Sequence, residues 1–246
     1  MTQQRIITPV VDLLRSPDGP RDRQLLYGDI VAVQDTQSGW SRVIAEKDGY
    51  PGWLPTQHLA AASAAHTHWV SAPATHVYAR PNMKSADHMS LSFGSRFRTL
   101  SERSGFLETE LGYIPAVHAR LITTRMSDPV AVAELFLGTP YLWGGNSRLG
   151  LDCSGLVQAG LLACGVPCPG DSGDQEQELG THLPAQTPAL RGDLLFWKGH
   201  VAWVYEDNML LHANAFHMAV TFEPMDQAIR RILDQGDGPV TAHKRL

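Results

Sequence analysis

Three side chains of this 246-residue chain have the types and the order needed for amide chemistry: Cys153, His200 and His212. Cys153 lies in Asp152-Cys153-Ser154-Gly155-Leu156, at the expected start of a helix. Unpaired N–H groups and the positive end of the helix dipole favour a thiolate there, so a lowered pKa is expected. A thiol nucleophile also needs a base. His200 stands in Lys198-Gly199-His200-Val201-Ala202-Trp203, at the mouth of a predicted strand, a position that suits one. His212 opens the loop after the next strand, across a hairpin, where its ring can reach the second nitrogen of His200. Nucleophile, base and orienter in that arrangement make a triad. Each has a plainer reading when taken alone. A lone cysteine is a small buried residue, and a lone histidine packs or faces solvent, as His118, His182 and His217 are expected to do.

The other two cysteines, Cys164 and Cys168, are four residues apart in Cys-Gly-Val-Pro-Cys. That spacing could suggest zinc, but no second ligand pair stands at zinc-site distance, and packing at a helix end is the better reading. Three cysteines also argue against a disulfide framework. No metal or cofactor is expected.

The elements that must position these residues follow from periodicity and punctuation. Asp128 can cap a helix that starts at Pro129 and stops at Gly138. A second helix should run from about Asp152 to Cys164, ended by Gly165 and Pro167. Asp193 to Trp197, Val201 to Tyr205 and Met209 to His212 read as consecutive strands, with Glu206-Asp207-Asn208 as a hairpin turn. A last helix should cover Asp226 to Leu233. Before residue 126 the pattern is different. Gly28-Asp29-Ile30-Val31-Ala32-Val33 aligns with Gly94-Ser95-Arg96-Phe97-Arg98-Thr99, Trp40 with Phe106, and Gly49-Tyr50 and Trp53-Leu54-Pro55 with Gly112-Tyr113-Ile114-Pro115. Short alternating runs separated by Gly, Ser and Asp predict two small β-barrels, with Ala60 to Ala65 as a linker. The domains expected are 1–62, 63–125 and 126–246.

Composition sets outer bounds on function. Hydrophobic residues make up 43% and charged residues 18%, as in globular proteins. The net charge is −5 and the basic residues are scattered, which leaves no footprint for nucleic acid. No apolar run approaches the roughly 20 residues of a membrane span, and Met1 to Leu14 does not read as a secretory signal. A soluble, cytoplasmic monomer is the expectation.

Several motifs together resemble the NlpC/p60 family of cysteine peptidases: Pro140-Tyr141-Leu142-Trp143-Gly144-Gly145, Asp152-Cys153-Ser154-Gly155-Leu156, Arg191-Gly192-Asp193-Leu194, Gly199-His200-Val201 and Leu211-His212-Ala213. The resemblance covers about residues 127–225. It implies an α+β, papain-like catalytic domain that cleaves peptidoglycan peptides, preceded by two bacterial SH3-like barrels. It also implies that Cys153 is the nucleophile, His200 the base and His212 its orienter. Tyr141 and the Cys153 N–H would stabilise the oxyanion.

With SH3-like domains ahead of it, the chain is most similar to the γ-D-glutamyl-L-diamino acid endopeptidases. These cut murein peptides before the diamino acid and require a free N-terminal L-Ala. That implies carboxylates for the amine: Asp152 with Ser154 beside it, and the acidic-serine pair Asp171-Ser172, whose plainer reading is a capped turn. Tyr50 resembles the tyrosine that closes the amine end of the site, and either Asp22 or Asp29 could add a carboxylate. Two other classes stay open, a wall-peptide adaptor without catalysis and a thiol acyltransferase or amidase acting on another amide.

Overall fold

A computed structural model of the chain describes residues 2–62, 65–184, 186–206 and 208–246. They form two compact units, one of residues 1–125 with 146–148, the other of 126–145 with 149–246. Part of the expected Ala60 to Ala65 linker, Ser63 and Ala64, lies outside the described residues, as does Asp207 of the expected hairpin turn.

The first unit is all strand apart from two short 3-10 turns, and it holds two hydrophobic clusters. Ile6, Leu13, Leu25, Val31, Val43 and Leu54 fill the first, drawn from a seven-stranded antiparallel sheet. The alternation of Trp40–Ala45 places Ser41, Val43 and Ala45 inward and explains why a period-2 pattern was visible there. Val70, Val77, Leu91, Phe97, Leu107 and Ile114 fill the second, between a five-stranded and a three-stranded sheet. The two halves repeat one another bond for bond. The N–H of Gly28 donates to Ile6 O as that of Gly94 does to Val70 O, and Thr56 N donates to Gly39 O as Ala116 N does to Gly105 O. Gly28 and Gly94 both have left-handed backbone, at φ 83° and 88°, and a Cβ on Gly28 would meet Arg96 O at 2.0 Å.

The expectation of barrels needs qualification: among the described residues the hydrogen-bonded order of each sheet is open rather than circular. The first sheet begins at the edge strand Arg21–Leu26. This edge is covered by the hairpin that gives the unit its outlying residues. Gln24 N donates to Asn146 Oδ1 at 3.3 Å and Asn146 N to the Gln24 side-chain Oε1 at 3.2 Å, so one main-chain donor that would otherwise recruit another strand is used.

The second unit is α+β. Helix α1, Pro129–Glu134, is capped by Asp128, whose Oδ1 accepts from Val130 N and Ala131 N. It ends four residues before Gly138, because residues 135–137 tighten into turns with bonds to the third residue back. Helix α2, Cys153–Ala163, is buried almost throughout, and Gly160 lies so close to α1 that a Cβ would sit 2.6 Å from Pro129 O. Helix α3 is Ser172–Glu178 and helix α4 is Met225–Asp234.

A six-stranded antiparallel sheet completes the unit. Its central strands Leu194–Trp197, His200–Glu206, Met209–Asn214 and Ala219–Pro224 run in sequence order, and Ala242–Arg245 pairs outside Leu194–Trp197. Leu195, Trp197, Ala202, Val204 and Leu210 close on Ala228 and Ile232 of α4. Asp193 anchors the last strand: Arg245 donates to both its oxygens at 2.7 Å, and His243 Nε2 lies 2.7 Å from Oδ2. No helix among the described residues is long and apolar enough to cross a membrane.

Candidate active site

Asp152 determines how the cysteine is presented. As N-cap of α2, its Oδ1 accepts from Gly155 N at 2.6 Å and from Ser154 Oγ at 3.2 Å, while Oδ2 accepts from Gly144 N at 2.9 Å. One carboxylate thus starts the helix and ties it to the Tyr141-bearing loop. Gly145 tightens that loop further, because its position leaves no room for a Cβ between Gly150 O at 2.5 Å and Leu142 O at 2.9 Å.

Cys153, the first residue of α2, is 7% exposed. Its Sγ lies 3.9 Å from Gly199 O and within reach of Val201 N–H, so the sulfur rests against the chain on both sides of His200. The expected lowering of its pKa is corrected by the structure. Burial, with the negative charge of Asp152 adding to it, pushes the thiol up to about 12, although the N–H groups of Val201, Ser154 and Cys153 pull the other way. The helix terminus acts as expected, but the loss of water outweighs it.

His200 begins its strand and packs its ring against Trp197. Its Nε2 lies 2.9 Å from His212 Nδ1. Hairpin pairing of the His200–Glu206 and Met209–Asn214 strands puts the two rings side by side, with centroids 5.1 Å apart. Burial, the neighbouring His212 and Arg231 hold the His200 imidazole down to about 3, and burial also lowers His212. Burial therefore disfavours the charged form of both thiol and imidazole in the substrate-free site.

The polar line continues past His212 to two residues the sequence reading did not single out. His212 Nε2 is 3.0 Å from Glu223 Oε2, and Glu223 accepts from Arg231 Nε at 2.8 Å and Nη2 at 2.7 Å. Burial opposes ionisation of Glu223, but Arg231 and His212 hold its carboxyl down at about 2. A glutamate in the largely apolar run Ala219–Pro224 was the signal available, and it is buried in the fold.

Tyr141 lies close enough for burial and the charges of Cys153 and Asp152 to raise its phenol pKa, which keeps the hydroxyl a proton donor. Ser154 is buried beneath Asp152. Asp171 and Ser172 head α3, which Gln175 fastens to α2 through Nε2 bonds to Ser154 O and Pro169 O, both 3.0 Å. Tyr50 belongs to the other unit, where Arg23 lies 5.8 Å over its ring. Of the two alternative carboxylates in that unit, Asp29 is buried and bonded to Lys47 Nζ at 2.8 Å and Leu26 N at 3.0 Å, whereas Asp22 pairs with Arg15 at 2.7 Å. The free thiols Cys164 and Cys168 end α2 and follow it, and no cluster of metal-ligating side chains occurs among the described residues.

A cysteine at a helix head, set against a strand-borne histidine that a second histidine holds, defines the papain-like class of thiol peptidase. Residues 138–231 match the model of the NlpC/P60 family, and residues 13–59 that of the bacterial dipeptidyl-peptidase Sh3 domain. The chain is 28% identical over 240 residues to the gamma-D-glutamyl-L-lysine dipeptidyl-peptidase of Bacillus cereus, covering 83% of this chain and 71% of that one. It is 31% identical over 191 residues to the enzyme of the same name from Bacillus subtilis, covering 71% of this chain but only 63% of that one. A crystal structure of an NlpC/P60 family protein from Bacillus cereus shares the fold over 99% of both chains, with a TM-score of 0.83 at 21% identity. The chain is a cysteine peptidase of the NlpC/P60 family, with an SH3-like domain toward its N-terminus.

Proposed function

We propose that this peptidase hydrolyses the γ-D-Glu–L-diamino acid bond of murein peptides whose N-terminal L-Ala is free. The observation that carries the chemistry is the seat of the Cys153 sulfur between Gly199 O and Val201 N, beside a His200 whose far nitrogen is 2.9 Å from His212. His200 takes the thiol proton as the sulfur attacks the carbonyl. The Tyr141 hydroxyl and the Cys153 N–H receive the oxyanion. His200 then protonates the departing amine, and water that it deprotonates opens the thioester.

The choice of bond rests on the relatives named for γ-D-glutamyl-L-lysine peptides and on the carboxylates near the thiol. Asp152 already accepts three hydrogen bonds, and a carboxylate has about four lone-pair sites, so one place remains for an ammonium proton. Ser154, Asp171 and Ser172 complete the substrate-binding set in this unit. The family resemblance adds Tyr50 with either Asp22 or Asp29, carboxylates that each already hold a cation within their own unit, Arg15 and Lys47 respectively. The bond-for-bond repeat supports tandem SH3-like modules at 1–62 and 63–125, ahead of a catalytic domain at 126–246. Peptides with free L-Ala have already left the glycan, so the reading implies recycling of released fragments by a cytoplasmic monomer.

Mass spectrometry of the products from L-Ala-γ-D-Glu-L-Lys and its diaminopimelate counterpart, each with and without an N-acetyl cap, tests this. Free peptides should yield L-Ala-γ-D-Glu, and capped ones should be cut at least about 100-fold more slowly, because the cap leaves buried carboxylates without their cation. Equal rates on capped and free peptides would refute the end-recognition. Turnover by Cys153→Ala would refute the nucleophile.

A further inference from the structure

We infer that Glu223 and Arg231 form a positioning pair that sets the proton arrangement of both histidines and so leaves His200 Nδ1 as the base facing Cys153. This deepens the triad reading and rests on it. The argument is proton bookkeeping along one line of atoms. Glu223 receives two N–H bonds from Arg231, at 2.8 and 2.7 Å, so it is an ionised carboxylate and can only accept. His212 Nε2, 3.0 Å from Oε2, must then carry a proton, and the lone pair of neutral His212 falls on Nδ1. His200 Nε2, 2.9 Å from that lone pair, must carry the proton of its own ring. The remaining lone pair of His200 is on Nδ1, the nitrogen left to receive the thiol proton. Reversing any one bond would place a hydrogen on His200 Nδ1 and remove the base.

Arg231 has a separate part in this. It lies on α4, with its guanidinium 4.6 Å from the Phe216 ring and its Nη1 donating to Gln235 at 2.9 Å, so its donors are fixed toward Glu223. The other ionisable groups facing His212 are His200 and His217, and His217 Nδ1 lies 3.0 Å from Asn214 Oδ1 and 4.0 Å from Glu223 Oε2. Neither can replace an anion at Nε2.

Glu223→Gln separates this role from simple packing. Oε2 accepts from both Arg231 Nη2 and His212 Nε2 while Oε1 accepts from Arg231 Nε, so either turn of the amide sets its NH2 against a donor. With the oxygen at Oε1, the NH2 faces His212 and inverts its ring proton and then that of His200. With the oxygen at Oε2, the NH2 faces Arg231 Nε and the anion that holds the proton on His212 Nε2 is gone. The expected result is a fall in kcat of at least about 100-fold with KM little changed, by analogy with the loss when a triad carboxylate becomes an amide. Adding Arg231→Met frees the amide to rotate, and the double variant should recover at least about tenfold over Glu223→Gln. A double variant no better than the single one overturns the proposal.

Two readouts need no peptide substrate and keep this test apart from the bond specificity. One is the rate at which iodoacetamide alkylates Cys153 across pH, followed by peptide mapping. Glu223→Gln should lose the neutral-pH component that depends on His200, and retention of that component overturns the proposal. The other holds even if the variants do not fold. In wild-type protein with 15N-labelled histidine, His200 and His212 should both be protonated at Nε2 and bare at Nδ1, and a proton on His212 Nδ1 overturns it.

Discussion

Replacing Asp152 by Asn should make Cys153 more reactive and the enzyme less stable at once. The asparagine oxygen can still accept from Gly155 N and Ser154 Oγ, since Asn and Asp cap equally well. Its NH2, however, takes the place of Oδ2 and points at the buried Gly144 N–H, which loses an acceptor at 2.9 Å. Orphaning a donor bonded to a charged acceptor costs about 1.5–3 kcal/mol. For a chain of this size that lowers the thermal midpoint by roughly 3–12 °C.

The same change removes the charge that helps hold the thiol up, so alkylation by iodoacetamide at pH 7 should accelerate. Tenfold corresponds to roughly 1.4 kcal/mol of repulsion relieved. Hydrolysis of free-amine peptide should fall meanwhile, because the ammonium loses a partner. Alkylation followed by mapping of Cys153, together with a melting curve, reads both. Slower or unchanged alkylation in a folded variant would show that Asp152 does not set the thiol.

Gly145→Ala should lower stability by about 1–3 kcal/mol and depress turnover with it, since the new methyl meets Gly150 O at 2.5 Å in the loop that presents Tyr141; denaturant melts beside kcat measure both. Acidification should destabilise the protein from about pH 6.5 downward. His200 and His212 have lowered pKa values when folded, so the unfolded chain takes up protons first, giving up to about 1.4 kcal/mol per pH unit for each. The depressed carboxyl of Glu223 adds stability that is complete above its ordinary pKa and is lost only as pH falls from there toward 2. Melting temperatures from pH 7 to 3 check this, and a flat profile between 7 and 5 would contradict it.

Local chemistry was readable wherever one residue type has one structural use. Asp128 was recognisable as a cap, and Gly165 with Pro167 as the stop of α2, because the orphan N–H and C=O groups of a helix end accept few solutions. The strand hairpin that pairs His200 with His212 was equally plain from its apolar runs. Depth was harder to see. Nothing adjacent to Cys153 in the sequence says that its sulfur is shut away from water, so the dipole was given more weight than desolvation.

Glu223 and Arg231 escaped for a related reason. They are eight residues apart, on a strand and a helix separated by Pro224, and each looks like an ordinary surface charge until the turn folds one onto the other. Asn146 carries no signal of its own in the sequence, yet it bonds a sheet edge formed more than a hundred residues earlier. Long-range pairings of polar groups carry no periodicity.

The strand Ala242–Arg245 bears on how the catalytic half can be excised. The family match stops at residue 231, eleven positions before this strand starts. A fragment trimmed to that border would strip the outer ladder from Leu194–Trp197 and strand the fully buried Asp193 with neither Arg245 nor His243. Such a piece would present a bare sticky rim and an uncompensated anion directly upstream of the hairpin carrying His200, inviting intermolecular stacking. The minimal working module therefore has to reach at least Arg245.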